Sequence, residues 1–130
     1  MNIKEAAGLS DLTPNTIRYY ERLGVVPAIP RDSNGNRVFG ELELQWLDLA
    51  RDLRHAGVHV EKIIDYVKLV AQGEASIKGR IELLTETRDE LDDKIAELEK
   101  TRNHIQFKIE SYDAHMLPIE ENLSNGKTEQ

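Results

Sequence analysis

The stretch Thr13-Pro14-Asn15-Thr16-Ile17-Arg18-Tyr19-Tyr20-Glu21-Arg22 concentrates the side chains best suited to act on another molecule. Hydroxyl and amide groups stand at its front, and arginines follow one helical turn apart. An Asn in such a place can bond an adenine edge through two atoms, while guanidinium groups anchor on phosphate. A second arginine pair, Arg31 and Arg37, brackets Asp32-Ser33-Asn34-Gly35-Asn36. Other chemistries find little support. The chain has no cysteine, which excludes disulfides, thiolate metal sites and cysteine nucleophiles. His55 and His59 flank Gly57 at an expected helix break, and His104 and His115 lie far apart. There is no phosphate loop and no His–carboxylate set at triad or metal spacing, so neither an enzyme, a metal site nor a cofactor is expected.

Charge has to be read by segment. The 130 residues sum to −7, yet residues 1–40 carry five basic and four acidic groups, leaving −8 for the rest. A locally basic front is followed by a strongly acidic back. Hydrophobic residues make up 39%, below the usual globular share, which suggests a small core plus something extended. No apolar run is long enough to span a bilayer and no signal peptide is evident. A cytoplasmic location is expected.

The elements that position the arginines follow from local signals. Asn2 and Glu5 form a helix-start pair, with Gly8 and Ser10-Asp11 expected to interrupt that first helix. Thr13 caps a second helix, Pro14 starts it, and Gly24 ends it near residue 23. Two short helices so spaced describe a helix-turn-helix. Asn34-Gly35 is a type I′ hairpin signal, so residues 31–39 read as a two-stranded ribbon, or wing. A helix is expected over 41–55, with Trp46 as the sole tryptophan, and another over about 60–72, with His59 at its N-cap.

From residue 76 onward a heptad takes over. Ile77, Ile81, Leu84, Arg88, Leu91, Ile95, Leu98, Arg102, Ile105, Ile109, Tyr112 and Met116 fall at a and d, and ten of these twelve are apolar. That pattern predicts a coiled-coil helix of about 60 Å, ended by Pro118, with a polar, disordered tail over 118–130. The small front domain cannot bury the seam, so it asks for a second copy. Arg88 and Arg102 lie symmetrically about Ile95. They either set register against Glu90, Glu97 or Glu99 of a partner helix, or snorkel out of the seam.

The run Thr13 to Gly24, the wing arginines, Phe39, Trp46, Leu53-Arg54-His55-Ala56-Gly57 and the long helix together resemble a MerR-family transcriptional regulator over residues 1–116. The resemblance implies a mainly α fold: a winged helix-turn-helix domain with a helix pair (1–73), an antiparallel coiled-coil dimerisation helix (74–117) and a tail (118–130). It implies a homodimer that binds palindromic promoter DNA and distorts the spacer for RNA polymerase. The DNA-binding set would be Thr13, Asn15, Thr16, Arg18, Tyr19, Tyr20, Arg22, Arg31, Asn36, Arg37 and Arg54. Of the two tyrosines, one hydroxyl would reach DNA while the other ring packs inward; two plain core aromatics are the competing reading. A solvated hairpin is the competing reading for Arg31 and Arg37.

The chain also departs from the family's pattern. It resembles the short, aldehyde- and electrophile-responsive branch but lacks the sensor thiol, with Asp52 standing where that group is expected. Asp52 either mimics a charged, modified thiol or is a plain surface carboxylate. The resemblance leaves any small-molecule effector unidentified. The alternative function is a coiled-coil adaptor without sequence-specific DNA binding.

Overall fold

The computed structural model describes residues 1–112, so the expectations for Met116, Pro118 and the tail over 118–130 lie outside the described residues. Five α-helices follow in order: α1 (Ile3–Ser10), α2 (Pro14–Leu23), α3 (Glu41–His55), α4 (Val60–Ala71) and α5 (Ile77–Ser111). The mainly α class is as expected.

The start of α1 is the reciprocal pair anticipated. Glu5 N–H donates to Asn2 Oδ1 at 2.9 Å, and Asn2 N–H donates to Glu5 Oε1 at 3.3 Å. Gly8 does not break this helix, which continues to Ser10 and stops where Asp11 turns left-handed at φ 53°. On α2, Thr16 N–H donates to Thr13 Oγ1 at 3.1 Å, and Gly24 closes the helix at φ 87°. A residue with a Cβ is disfavoured there.

The expected two-stranded ribbon is reduced to one antiparallel bridge between Arg31 and Arg37. Pro30 can accept from Val38 N–H at 2.8 Å but has no N–H to extend the ladder. The turn is not type I′ either, because Gly35 has positive φ and Asn34 does not. Asp32 Oδ1 accepts from the amides of Asn34 (2.9 Å) and Asn36 (3.0 Å). That carboxylate rounds the loop in the manner of an Asx-turn and removes the need for a left-handed Asn.

The core lies among α1, α2, the segment after α2, α3 and α4. Ile17, Phe39, Leu47 and Val25 are its largest fully buried members, with Ala6, Ala50 and Ile63 between them. Met1 and Phe39 exchange backbone hydrogen bonds, both at 2.8 Å, which pins the start of the chain beside the entry to α3. Trp46 packs against this core and meets Tyr66 of α4 with ring centroids 5.8 Å apart.

The turn from α4 to α5 is clamped by side chains. Ser76 Oγ donates to the Leu69 and Gly73 carbonyls, and Arg80 donates to Ser76 Oγ at 2.9 Å and to Gly73 O at 2.6 Å. Carbonyls left open at the end of α4 thereby gain donors. The chain divides into two units, Met1–Thr87 and Arg88–Gln130. Among the described residues no helix is long and apolar enough to cross a membrane.

Candidate nucleic-acid interface

Helix α2 is two-faced for a reason visible in its spacing. Ile17 and Tyr20 are three residues apart and face the core, with Tyr20 only 8% exposed. Of the tyrosine pair, Tyr20 is therefore the inward ring, and its packing supports α2 from beneath. Asn15, Arg18, Tyr19 and Arg22 occupy the exposed side, where Tyr19 is 47% exposed. These outer groups brace one another. Arg18 Nη1 donates to Asn15 Oδ1 at 2.9 Å, the Thr13 and Thr16 hydroxyls share a hydrogen bond at 2.9 Å, and the Arg22 guanidinium sits 5.4 Å from the Tyr19 ring centroid. A guanidinium over a ring face is a cation–π contact that keeps the charge at the surface.

The segment after α2 brings in the second arginine pair. Arg31 Nη1 donates to Gly35 O at 2.7 Å. Arg37 donates through Nε to Glu21 Oε1 at 2.6 Å, an ion pair whose side chains are 21% and 15% exposed. The other oxygen of Glu21 accepts from Ile29 N–H, also at 2.6 Å. Burial pushes the Glu21 carboxyl upward, but the Ile29 amide and the charges of Arg37 and Arg31 outweigh it and hold the group below the ordinary carboxylate value. Arg18, Arg31, Asn36, Arg37 and Asn2 line a cleft of about 380 Å³ in front of α2. Residues from three parts of the sequence thus share one concave, cationic surface.

Other expected residues lie apart from this cleft. Arg54 donates to Val58 O at 2.9 Å and so closes the turn between α3 and α4. Asp52 is 67% exposed and pairs with Arg51 at 3.2 Å. Among the described residues no cluster of three His, Asp or Glu side chains could hold a metal. An apolar groove of about 690 Å³ runs between α4 (Ile64, Val67, Ala71) and the segment after α2 (Val26, Pro27).

Along α5 most of the residues expected at a and d are exposed in the single chain. In the first unit Ile77, Ile81 and Leu84 are exposed; in the second Ile95, Leu98, Ile105, Ile109 and Tyr112 are, while Leu91 is half-buried. Arg88 pairs with Asp89 at 3.0 Å, and Arg102 donates to Asn103 at 3.4 Å, both neighbours on the same helix.

Sequence reasoning missed Glu21, Arg51 and Arg80 as organising residues. Each reaches a partner distant in sequence or on another element, so no local motif announces it. Phe107 is 59% exposed on α5 and falls outside the a and d positions expected from the heptad.

A helix-turn-helix with an outward polar helix and an arginine cleft beside it is the architecture of a DNA-binding regulator. Residues 1–69 match the family described as MerR HTH family regulatory protein, and residues 44–106 match MerR, DNA binding. The chain belongs to the MerR family. The HTH-type transcriptional regulator AdhR of Bacillus subtilis is 34% identical over 91 residues, which span 70% of this chain and 65% of that protein. A MerR-type regulator from Listeria monocytogenes superposes with a TM-score of 0.86 at 41% identity, covering 96% of this chain and 95% of that one. HiNmlR, a MerR family regulator lacking the sensor domain and bound to promoter DNA, superposes with a TM-score of 0.78 at 25% identity, covering 97% and 94%.

Proposed function

We propose that this protein is a homodimeric regulator that binds a palindromic promoter element and distorts the spacer DNA to control transcription by RNA polymerase. The observation that carries the reading is the outer face of α2, where Asn15, Arg18, Tyr19 and Arg22 are exposed beside the arginine cleft while Ile17 and Tyr20 anchor the helix to the core. In this reading residues 1–73 form the DNA-binding domain and residues 74–117 the dimerisation helix. Thr13, Asn15, Thr16 and Arg18 meet the major groove. Tyr19, Arg22, Arg31, Asn36 and Arg37 meet flanking backbone, and Arg54 adds a phosphate contact through the nitrogens not given to Val58.

Pairing is supported by the exposed apolar stripe on α5, which one chain leaves in water at a cost of about 25 cal/mol per Å². An antiparallel partner covers it. Two modules on a symmetric site then bury the area that sequence-specific binding requires. Bending the duplex brings more phosphates against the arginines, and that attraction offsets the deformation. A small-molecule effector, where one acts, shifts the balance between two dimer geometries. Sedimentation and a gel shift with the gene's own upstream region test the reading. A dimer that shifts an inverted repeat, and loses the shift in Arg18→Ala while staying dimeric, supports it. A monomer with no preference among duplexes overturns it.

A further inference from the structure

We infer that Glu21 is a positioning residue for DNA binding: it grips Arg37 by Nε so that the two terminal nitrogens of that guanidinium are held ready for a phosphate. The inference rests on the DNA-binding reading above. Both oxygens of Glu21 are used, one by Ile29 N–H and one by Arg37 Nε, each at 2.6 Å. A single carboxylate on α2 therefore ties down both ends of the segment between Ile29 and Arg37. A guanidinium has five N–H donors. Glu21 takes one, and among the described residues the terminal nitrogens of Arg37 have no protein acceptor.

The neighbours follow the same plan. Arg18 is held through Nη1 by Asn15, and Arg31 through Nη1 by the Gly35 carbonyl. Among the described residues each arginine of the cleft gives one nitrogen to an internal acceptor and keeps the rest. Ordering a long side chain before binding removes an entropic cost that the complex would otherwise bear. Paired nitrogens on one edge of a guanidinium also match two phosphate oxygens. The Arg37 side chain is only 21% exposed, which limits its alternatives further.

Preorganisation and bulk electrostatics predict opposite signs here. Glu21 is an anion beside a surface meant for a polyanion, so field arguments alone expect its neutralisation to tighten DNA binding. If Glu21 positions Arg37, neutralisation weakens binding instead. The test uses the full chain and a short mixed-sequence DNA duplex, with Kd measured over a salt series. Glu21→Gln keeps an oxygen that can accept from Ile29 N–H, and circular dichroism melting checks that it folds.

The expected result is about a tenfold loss of affinity for Glu21→Gln, with a salt slope shallower by about one. In an Arg37→Ala background the same substitution causes no further loss. Arg37→Lys, which keeps the charge but lacks the forked geometry, is expected to lose as much as Arg37→Ala. This variant also serves if Glu21→Gln fails to fold. Tighter or unchanged binding by Glu21→Gln, an equal loss in both backgrounds, or wild-type affinity in Arg37→Lys overturns the inference while leaving DNA binding in place. A wild-type chain that binds no duplex overturns the functional reading, and the inference with it.

Discussion

Arg51 of α3 donates through Nη1 to the carbonyl oxygen of Ser10 at 2.7 Å, so one guanidinium ties the turn between the first two helices to the third. Asp48 lies 3.3 Å from the same nitrogen and steadies it. The bond spans 41 positions and sets where α2 begins relative to α3. Arg51→Ala is expected to cost about 1–3 kcal/mol, because a partly buried carbonyl loses a charged donor. Urea denaturation measures it, and an unchanged midpoint would show that water replaces the guanidinium at no loss.

Asp11 and Gly24 occupy the same left-handed region, at φ 53° and 87°, and their substitutions should have opposite signs. Gly24→Ala forces a Cβ into that region at a cost of about 1 kcal/mol; the added carbon meets nothing within 4 Å beyond its own local backbone and chain neighbours, so the effect is the backbone's own. Asp11→Gly relieves the same penalty and forfeits some unfolded-state entropy, for a net gain of about 0.5 kcal/mol. Thermal unfolding of both variants checks the pair. Two shifts of the same sign would mean that side-chain contacts, not φ, decide these caps.

How much could be read beforehand depended on range in the sequence. Helix α2 was legible because Thr13, Pro14 and Gly24 act within a turn of where they stand. The helical state of Ile77–Ser111 was legible because its apolar residues recur at helical spacing through Ile81, Ile95 and Ile109. The turn at Asn34-Gly35 was misread because two bonds to the Asp32 carboxylate outcompete the dipeptide's own preference. The ribbon was over-read because Pro30 halts its ladder. The candidate cleft was half legible: its arginines were named, but the carboxylate that organises Arg37 lies 16 residues away. Only the folded chain brings the two together.

The exposed stripe on α5 yields a further expectation. Leu98 is 71% exposed in the single chain, so a charge there should leave the isolated fold intact. In a paired seam the same charge lands in an apolar layer and should be strongly disfavoured. Leu98→Glu is therefore expected to weaken self-association by at least about tenfold, equivalent to about 1.4 kcal/mol. Helical content should be largely retained when sedimentation and circular dichroism are compared. Self-association equal to that of the wild type would place the interface elsewhere.

Acid titration should expose the Glu21 network. Its carboxyl is held below the ordinary value of 4.5 by the Ile29 amide and by Arg37 and Arg31, against the opposing pull of burial. A carboxylate whose folded pKa is depressed contributes stability above its unfolded pKa and loses it as pH falls through the folded value. The stability difference between wild type and Glu21→Gln should accordingly stay constant from neutrality to about pH 5 and shrink below that. Urea midpoints measured across this range provide the check. The variant's own acid limb, set by the remaining carboxylates, supplies the baseline, because a general acid effect moves both proteins together and cancels in the difference. A difference that persists undiminished to about pH 3 would mean that the Glu21 charge contributes nothing and that only the geometry of its oxygens holds Ile29 and Arg37 in place.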